Sequence, residues 1–341
     1  MDKAAFVILG GGPVALACAL WCSRSGPVRV LYVPARNIRD APSRIEVVPM
    51  STIAGLVELG VHPHAIGVYG FEQRRLLAWE NAEPELVVTP AAAHLERPAL
   101  EAALLALAAR QPWIELCRVD AAGARAEATA HTRAGVCVID ATGRRAALAA
   151  RTMHPRQPWV ARMFHVPCKA ASSTRDQGAP FMAAALPQGY VYRAAGRNGC
   201  TVGVVGRGAA LAGNPVEVRG RLRADGAGWI VEDIAALPWS SAGARAATIQ
   251  WAESDAATFV GDAALSRDAL SSQGLASGLA DARYAAAIRS RTDRVVFAQR
   301  TQLARAAHAG ELVGMIEKCR WRSHAAWREY KRFLVESALG Q

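Results

Sequence analysis

The pattern of apolar residues at the start of the chain predicts a strand, a helix and a second strand in close succession. Residues 4–9 (AAFVIL) form an unbroken apolar run, which is typical of a buried parallel strand. Residues 16–26 (LACALWCSRSG) carry apolar positions at helical spacing up to a glycine, and residues 28–33 (VRVLYV) again have the composition of a strand. This order indicates a βαβ unit, the building block of a parallel sheet.

Three glycines separate the first predicted strand from the helix. Residues 10–15 (GGGPVA) fit the pattern G-x-G-x-x-G/A, with Gly10, Gly12 and Ala15 in its three key positions. Gly10 permits a tight turn, Gly12 lets a pyrophosphate approach the backbone, and Ala15 keeps the helix close to the strand. The free N–H groups at the helix N-terminus then face the phosphates. The sequence therefore predicts a dinucleotide site at this turn.

The acidic residue that normally accompanies this motif is absent. An Asp or Glu about 20 residues further on, at the end of the second strand, usually binds the ribose hydroxyls. Tyr32 stands in that place, and Arg36 lies just beyond it. A phenol is a weaker ribose acceptor than a carboxylate, whereas the arginine suits the adenosine or a 2′-phosphate. We therefore expect weaker retention of the cofactor.

A second set of cofactor contacts is predicted near the other end of the chain. Residues 257–260 (ATFV) have the pattern of a short strand that ends at Gly-Asp, and residues 276–288 (ASGLADARYAAAI) have a strong helical pattern. Asp262 can accept a hydrogen bond from a sugar hydroxyl, and N–H groups near Gly274 and Leu275 can point at an electron-accepting ring. A nicotinamide enzyme does not need this late element, so the pattern favours a flavin.

The middle of the chain has a different pattern. Residues 159–205 alternate apolar and polar positions in short runs separated by turn signals, which indicates a mostly antiparallel sheet. Residues 203–208 contain a second glycine-rich segment. We interpret this segment as a strand end and turn, because no βαβ unit surrounds it. This interpretation argues against a disulfide reductase with two nucleotide-binding folds.

The last part of the chain, residues 285–341, has a helical pattern in which four aromatic residues recur. Their spacing is typical of an amphipathic helix that packs on the body of the protein. The alternative is a face for a partner or substrate, and nearby basic residues would suit an acidic partner. The aromatic residues are Trp321, Trp327, Tyr330 and Phe333, and the basic ones are Arg320, Arg322, Arg328 and Arg332.

The composition limits the class of protein. The chain has 341 residues, 52% hydrophobic and 20% charged, so we expect a globular protein of about two domains. No apolar run approaches the roughly 18 residues that span a bilayer, and the N-terminus lacks a signal-peptide pattern. Seven dispersed cysteines without a C-x-x-C pair suit a reducing compartment. We expect a cytoplasmic protein without membrane contact.

The charge excludes some partners and favours others. The net charge is +11, and only four of the 40 basic residues are lysines. The arginines are scattered, without a basic block interleaved with aromatic residues, so nucleic-acid binding is disfavoured and an acidic substrate or partner is favoured. His62 and His64 lie on a turn-like segment without partner cysteines, so no metal site is predicted.

Several of these segments together resemble a known family. GGGPVA, Arg97 within HLERPALEAALLALA, residues 140–144 (DATGR) and the GDAA…DALSSQGL segment at 261–275 occur in this order in FAD-dependent monooxygenases of the p-hydroxybenzoate hydroxylase fold, which include the tryptophan halogenases. Residues 43–49 (SRIEVVP) resemble the G-E-x-L-P element of halogenase-like members. DALSSQGL most resembles the flavoprotein hydroxylases of quinone-cofactor maturation, in which a tryptophan of a partner protein is hydroxylated.

The resemblance implies a fold and a set of cofactor residues. A discontinuous Rossmann-type FAD-binding domain (1–150 and 255–290), with a substrate-domain insertion around 55–90, is expected to be interleaved with a smaller mixed or antiparallel β-sheet substrate domain (151–254). C-terminal helices (291–341) follow. The N-terminal residues then hold the pyrophosphate, the two arginines lie near the ribityl–phosphate region, and the late segment contacts the ribityl chain and the isoalloxazine. These implied cofactor residues are Gly10, Gly12, Pro13, Val14, Ala15, Arg44, Arg97, Gly261, Asp262, Gln273, Gly274 and Leu275.

The chain departs from the family at three points. The W-x-W-x-I-P motif of the halogenases is missing, and no lysine lies between Lys3 and Lys169 to serve as their catalytic lysine, so halogenation is disfavoured. The family's proline after the downstream acid is Ala269 here, which predicts a looser loop.

The resemblance implies hydroxylation of an aromatic ring through a flavin C4a-hydroperoxide. The substrate is either a free aromatic molecule or a tryptophan of an acidic partner protein or peptide, and the reductant is NAD(P)H or a reductase. Two alternatives stay open: a reductase or dehydrogenase of the same fold, and a flavin-binding maturation protein without turnover. No catalytic residue is predicted, because the cofactor carries this chemistry.

Overall fold

The computed structural model describes residues 4–32, 44–153, 159–167, 181–207, 213–246, 250–253, 257–268 and 271–339. In chain order the strands are β1 (Phe6–Leu9), β2 (Val28–Tyr32), β3 (Ile45–Pro49), β4 (Tyr69–Ala78), β5 (Glu85–Glu96), β6 (Ile114–Arg118), β7 (Cys137–Asp140), β8 (Arg151–Met153), β9 (Val160–Val166), β10 (Phe181–Leu186), β11 (Gly189–Ala195), β12 (Cys200–Gly206), β13 (Ser240–Ala246), β14 (Gln250–Glu253), β15 (Thr258–Phe259) and β16 (Leu265–Ser266). The helices are α1 (Pro13–Cys22), α2 (Met50–Glu58), α3 (Arg97–Arg110), α4 (Ala121–Arg133), α5 (Pro215–Ala224), α6 (Gly274–Ala285), α7 (Arg291–Lys318) and α8 (Ala325–Leu339).

The first sheet is parallel and confirms the βαβ unit predicted from residues 4–33. Its described strands lie in the order β15-β7-β1-β2-β6, and β1 pairs in parallel with β2 on one side and β7 on the other. Phe6 and Ile8 face α1, α3 and α6, whereas Val7 and Leu9 face α4, as expected of a strand covered on both faces. Helix α1 ends at Cys22, so the predicted end at the glycine lies four residues too late.

The second sheet is mixed and confirms the antiparallel pattern of the middle of the chain. Its described strands lie in the order β13-β9-β12-β11-β10-β4-β5-β3, and every pair is antiparallel except β4 with β10. One face packs against α5 through Val218 and Leu222. Residues 203–206 of the glycine-rich segment form the end of β12, so the interpretation of these residues as a strand end is confirmed.

The C-terminal helices α7 and α8 pack on the second sheet. Trp327 is 1% exposed, and its ring centroid lies 4.8 Å from that of Trp159, which lies 4.4 Å from that of Tyr330. Trp327 and Tyr330 are therefore core residues, and the partly buried Phe333 packs against them, as the amphipathic interpretation predicts. On the outer surface, Arg207 forms an ion pair with Glu329.

The two distant segments predicted to bind the cofactor are adjacent. Helix α1 packs against α6 and the turn before it, and Val14 lies at the crossing. A Cβ on Gly278 would lie 2.5 Å from a Val14 methyl, and one on Gly261 would lie 3.1 Å from another. Glycine at both positions thus allows the close approach that brings residues 10–15 beside residues 261–275. No described helix is long and apolar enough to cross a membrane.

Candidate functional site

A cleft of about 400 Å³ lies where the two sheets meet. Residues from both ends of the chain line it, together with part of the second sheet. Nine of the twelve predicted cofactor residues are among the lining residues: Gly10, Gly12, Pro13, Val14, Arg44, Arg97, Asp262, Gly274 and Leu275. The other three do not line the cleft. Ala15 and Gly261 are buried in the α1–α6 packing, and Gln273 directly precedes α6.

Glycine occupies positions 10 and 12 of the turn for different physical reasons. Gly10 has a φ of +126°, and a Cβ there would lie 2.4 Å from the carbonyl oxygen of Ala141. Gly10 is therefore required by the protein itself. Gly12 has an ordinary extended backbone, and no protein atom lies within 4 Å of an added Cβ. The space in front of Gly12 faces the cleft, where it leaves room for a phosphate to approach the backbone.

Two helices begin at the cleft without a side-chain cap. Helix α1 starts after Gly12 and helix α6 after Gln273, and neither has an acidic residue in its first turn. Their unpaired N–H groups and partial positive charges favour an anion. The described lining residues include five arginines and three acidic residues, which is an excess of two positive charges. This excess matches the two negative charges of a diphosphate, so the residues fit the group.

Two of the predicted arginines form an ion-pair cluster at the cleft wall. The Arg97 Nη1 atom lies 3.1 Å from Glu46 Oε1, and Arg97 Nε donates to Glu101 Oε1 at 2.6 Å. Arg44 donates to the same Glu46 oxygen. Burial opposes the charge of Arg97, but the carboxylates of Glu46 and Glu101 outweigh burial and raise the pKa of Arg97. Arg97 therefore stays charged in a fixed orientation.

The late segment is held from several sides. Asp262 Oδ2 lies 3.9 Å from Arg144 Nε, so this carboxylate sits beside a cleft arginine. The N–H of Gly261 donates to Asp281 at 3.3 Å, and burial raises the pKa of Asp281 to about 6. Ser272 has a φ of +52°, a left-handed conformation that is uncommon for a residue other than glycine. These contacts fix the segment between β15 and α6 against the glycine turn.

The opposite wall of the cleft is an aromatic surface of the second sheet that the sequence reasoning missed. The rings of Phe181 and Tyr192 are stacked with centroids 6.1 Å apart, and Arg75 lies 4.9 Å above the Phe181 ring. Ala161 and Ala194 line the cleft beside them and leave room. The alternation in strand β11 (GYVYRAA) was the available signal, since it places both tyrosines on one face.

Tyr32 lies beside the glycine turn rather than in the cleft lining. A Cβ on Gly11 would lie 3.2 Å from the Tyr32 Cβ, so the phenol packs next to the turn. Ala121 and Ala124 line the cleft near this end. Arg36 and Ala269, singled out from the sequence, lie outside the described residues. Within the described ranges, no group of three or more His, Cys, Asp or Glu side chains is arranged to hold a metal.

The parallel sheet, the mixed sheet and the cleft between them define the fold of FAD-dependent monooxygenases and halogenases, which confirms the predicted p-hydroxybenzoate hydroxylase-like fold. No protein-family model matches the chain. No curated protein matches it either. The similarity is therefore to solved structures, and the three described below are 12–20% identical to this chain.

Three of these solved structures are described here. The chain is similar to QhpG, a peptidyl tryptophan dihydroxylase essential for tryptophylquinone cofactor biogenesis, with 20% identity and a TM-score of 0.70 over 97% of this chain and 79% of QhpG. It is similar to CmlS, a flavin-dependent halogenase, with 16% identity and a TM-score of 0.68 over 97% of this chain and 68% of CmlS. It is similar to PqsL of Pseudomonas aeruginosa, a probable FAD-dependent monooxygenase, with 12% identity and a TM-score of 0.64 over 97% and 99% of the two chains.

Proposed function

We propose that this protein is an FAD-dependent monooxygenase that hydroxylates an aromatic ring. The observation that carries the proposal is the cleft itself, in which the glycine turn and the late segment meet opposite an aromatic wall. The names of QhpG and PqsL support a hydroxylase within this fold. The absence of the halogenase motif and lysine from the sequence disfavours halogenation.

We assign residues to the diphosphate, the ribityl chain and the ring of FAD. The N–H groups of the first turn of α1, with Arg44 and Arg97, would hold the diphosphate. Asp262 would accept from a hydroxyl of the ribityl chain, and the backbone at Gly274 would lie against the ring. When bound and reduced, FAD supplies the electrons that activate O₂ for transfer of one oxygen atom to an electron-rich aromatic carbon.

The remaining work of the protein is to orient the substrate and exclude water. Phe181 and Tyr192 present stacked faces to the cleft, and an aromatic substrate ring would pack on them. Ile45 and Val47 line the cleft and help keep it apolar. No side chain is assigned as a catalytic acid or base.

We propose two substrate classes for this site, a free aromatic molecule and a tryptophan of an acidic partner protein or peptide. The name of QhpG supports the second class, and the net charge of +11 favours an acidic partner electrostatically. The proposed reductant is NAD(P)H or a separate reductase.

The proposal is tested by incubating the FAD-reconstituted protein with a reductant, isotopically labelled O₂ and candidate aromatic substrates, including the products of neighbouring genes. Mass spectrometry of the intact products is expected to show one added labelled oxygen atom in one candidate. Unchanged masses for every candidate, together with no NAD(P)H oxidation, would contradict the proposal. A reaction that proceeds equally well without O₂ would instead identify the reductase or dehydrogenase alternative.

A further inference from the structure

A buried carboxylate stands in the loop between β16 and α6. Asp268 is 1% exposed, yet it lines the cleft. Both of its oxygens accept hydrogen bonds from tyrosines, Tyr190 Oη at 2.5 Å from Oδ1 and Tyr330 Oη at 2.6 Å from Oδ2. One tyrosine belongs to strand β11 and the other to helix α8, so the carboxylate joins the second sheet to the C-terminal helices.

The protonation states of these groups are fixed by their surroundings. Burial raises the pKa of Tyr190 and of Tyr330 well above the usual value, and the adjacent Asp268 raises them further. Both phenols therefore keep their protons and donate, while the carboxylate accepts. The two oxygen–oxygen distances, 2.5 and 2.6 Å, are short for such hydrogen bonds.

A third contact fixes the backbone of the same residue. The N–H of Asp268 donates to His308 Nε2 of helix α7 at 3.2 Å. Burial lowers the pKa of His308 to about 3, so the imidazole is neutral and its Nε2 can accept. Asp268 is thus held through three atoms by three separate elements, β11, α7 and α8.

The loop that Asp268 fixes is the one that carries the predicted ring contacts. The carbonyl of Arg267 accepts from Arg144 at 3.1 Å, and Arg267 Nη1 donates to Gln273 at 3.4 Å. Ser272 within the same loop has the left-handed backbone described above and lines the cleft. A conformation of this kind persists only where the surrounding structure holds it.

We infer that Asp268, Tyr190, Tyr330 and His308, here called the Asp268 anchor, hold residues 267–268 and 271–275 in the shape that receives the flavin ring. The inference rests on the proposed binding of FAD. Its four members are positioning residues, since they act through the loop. It makes the C-terminal helices α7 and α8 part of the cofactor site rather than a packing layer alone.

The test compares Tyr190→Phe and Tyr330→Phe with the wild-type protein. Each exchange keeps the ring and removes one hydroxyl, and with it one hydrogen bond to a buried carboxylate oxygen. We expect the FAD Kd, measured by quenching of flavin fluorescence, to rise about tenfold in each variant. We also expect the visible circular dichroism of bound FAD to change at saturating FAD, because the ring then lies against a displaced loop.

The matched control is Trp327→Phe. This exchange removes a hydrogen bond to the Leu186 carbonyl and disturbs the packing of the same helix, but it removes no hydroxyl that donates to Asp268. We expect it to lower thermal stability while the FAD Kd and the circular dichroism stay at wild-type values. If both tyrosine variants lower stability but also keep the wild-type Kd and spectrum, the role is only structural and the inference is overturned.

A second measurement needs no cofactor. Amide hydrogen exchange of the cofactor-free protein is expected to be faster across 267–275 in Tyr330→Phe than in the wild type and in Trp327→Phe. Equal exchange in all three proteins overturns the inference even if FAD does not bind. A wild-type protein that binds no FAD would contradict the proposed function, and faster exchange in that case would still show that the Asp268 anchor orders the loop.

Discussion

Replacing Gly12 with alanine tests whether this glycine is required for ligand binding or for folding. Gly12 has φ −81° and ψ 175°, a conformation open to any residue. No protein atom lies within 4 Å of the added Cβ, so the methyl group enters the cleft without a clash. Because this is the space into which we place the diphosphate, the variant is expected to fold normally and to bind FAD poorly.

Two opposing effects set the expected change in unfolding free energy. Loss of glycine freedom in the unfolded chain stabilises the fold by about 0.4–1 kcal/mol. Gly12 is the N-cap of α1, and alanine is a poorer N-cap by an amount of similar size. The unfolding free energy should therefore change by less than about 0.5 kcal/mol. Keeping the diphosphate away from one or two N–H groups loses about 1.5–3 kcal/mol, which raises the FAD Kd about 10- to 100-fold.

The matched control is Gly10→Ala in the same turn. Gly10 has a φ of +126°, and its Cβ would lie 2.4 Å from the Ala141 carbonyl oxygen. This variant should lose about 1–3 kcal/mol of unfolding free energy or more. Urea unfolding of the cofactor-free proteins and FAD titrations by fluorescence supply both quantities. If Gly12→Ala binds FAD as tightly as the wild type, the assignment of the diphosphate to this turn is wrong.

Three further outcomes are expected. Tyr32→Glu should bind FAD several-fold more tightly, since a carboxylate accepts ribose hydroxyls better, and an unchanged Kd would count against a ribose contact there. Gly278→Ala should lose about 1–3 kcal/mol of stability and some FAD affinity, because its Cβ would meet Val14 at 2.5 Å. The pKa of Asp281 is raised by burial to about 6, so the native state binds its proton more tightly than the unfolded state. Its protonated form is stabilising below about pH 4, and this stability is lost as the pH rises through about 6. Between about pH 4 and pH 6, the unfolding free energy of Asp281→Asn should therefore rise by up to about 3 kcal/mol relative to the wild type. A difference that does not change with pH would refute the raised pKa of Asp281.

The parts of the fold that the sequence predicts are those with local signals. The run of Phe6–Leu9, the glycine turn and the α6 pattern are each contained in a short window, so apolar spacing and turn chemistry identify them. Boundaries are less well defined, because the last turn of a helix depends on its neighbours. Helix α1 ends at Cys22 and not at the following glycine for this reason.

The parts that the sequence does not predict depend on contacts between distant residues. Asp268 is 78 residues from Tyr190 and 62 from Tyr330, and no local pattern pairs them. The parallel pairing of β4 with β10 is likewise set by the packing of the whole sheet. The stacking of Phe181 on Tyr192 comes from the antiparallel register of β10 and β11, in which Phe181 lies opposite Ala194 and Ala183 opposite Tyr192. The sequence reasoning did not assign this register, so the aromatic wall of the cleft was not foreseen.

The central claim is that the glycine turn and the late segment together hold one flavin. The most direct measurement is the amount of FAD that remains with the wild-type protein and with Gly12→Ala and Asp262→Ala after reconstitution and ultrafiltration, quantified after denaturation. We expect about one FAD per wild-type chain and a large loss in both variants, one at each end of the chain. A wild-type protein that retains no FAD after incubation with an excess, or variants that retain it fully, would contradict the account.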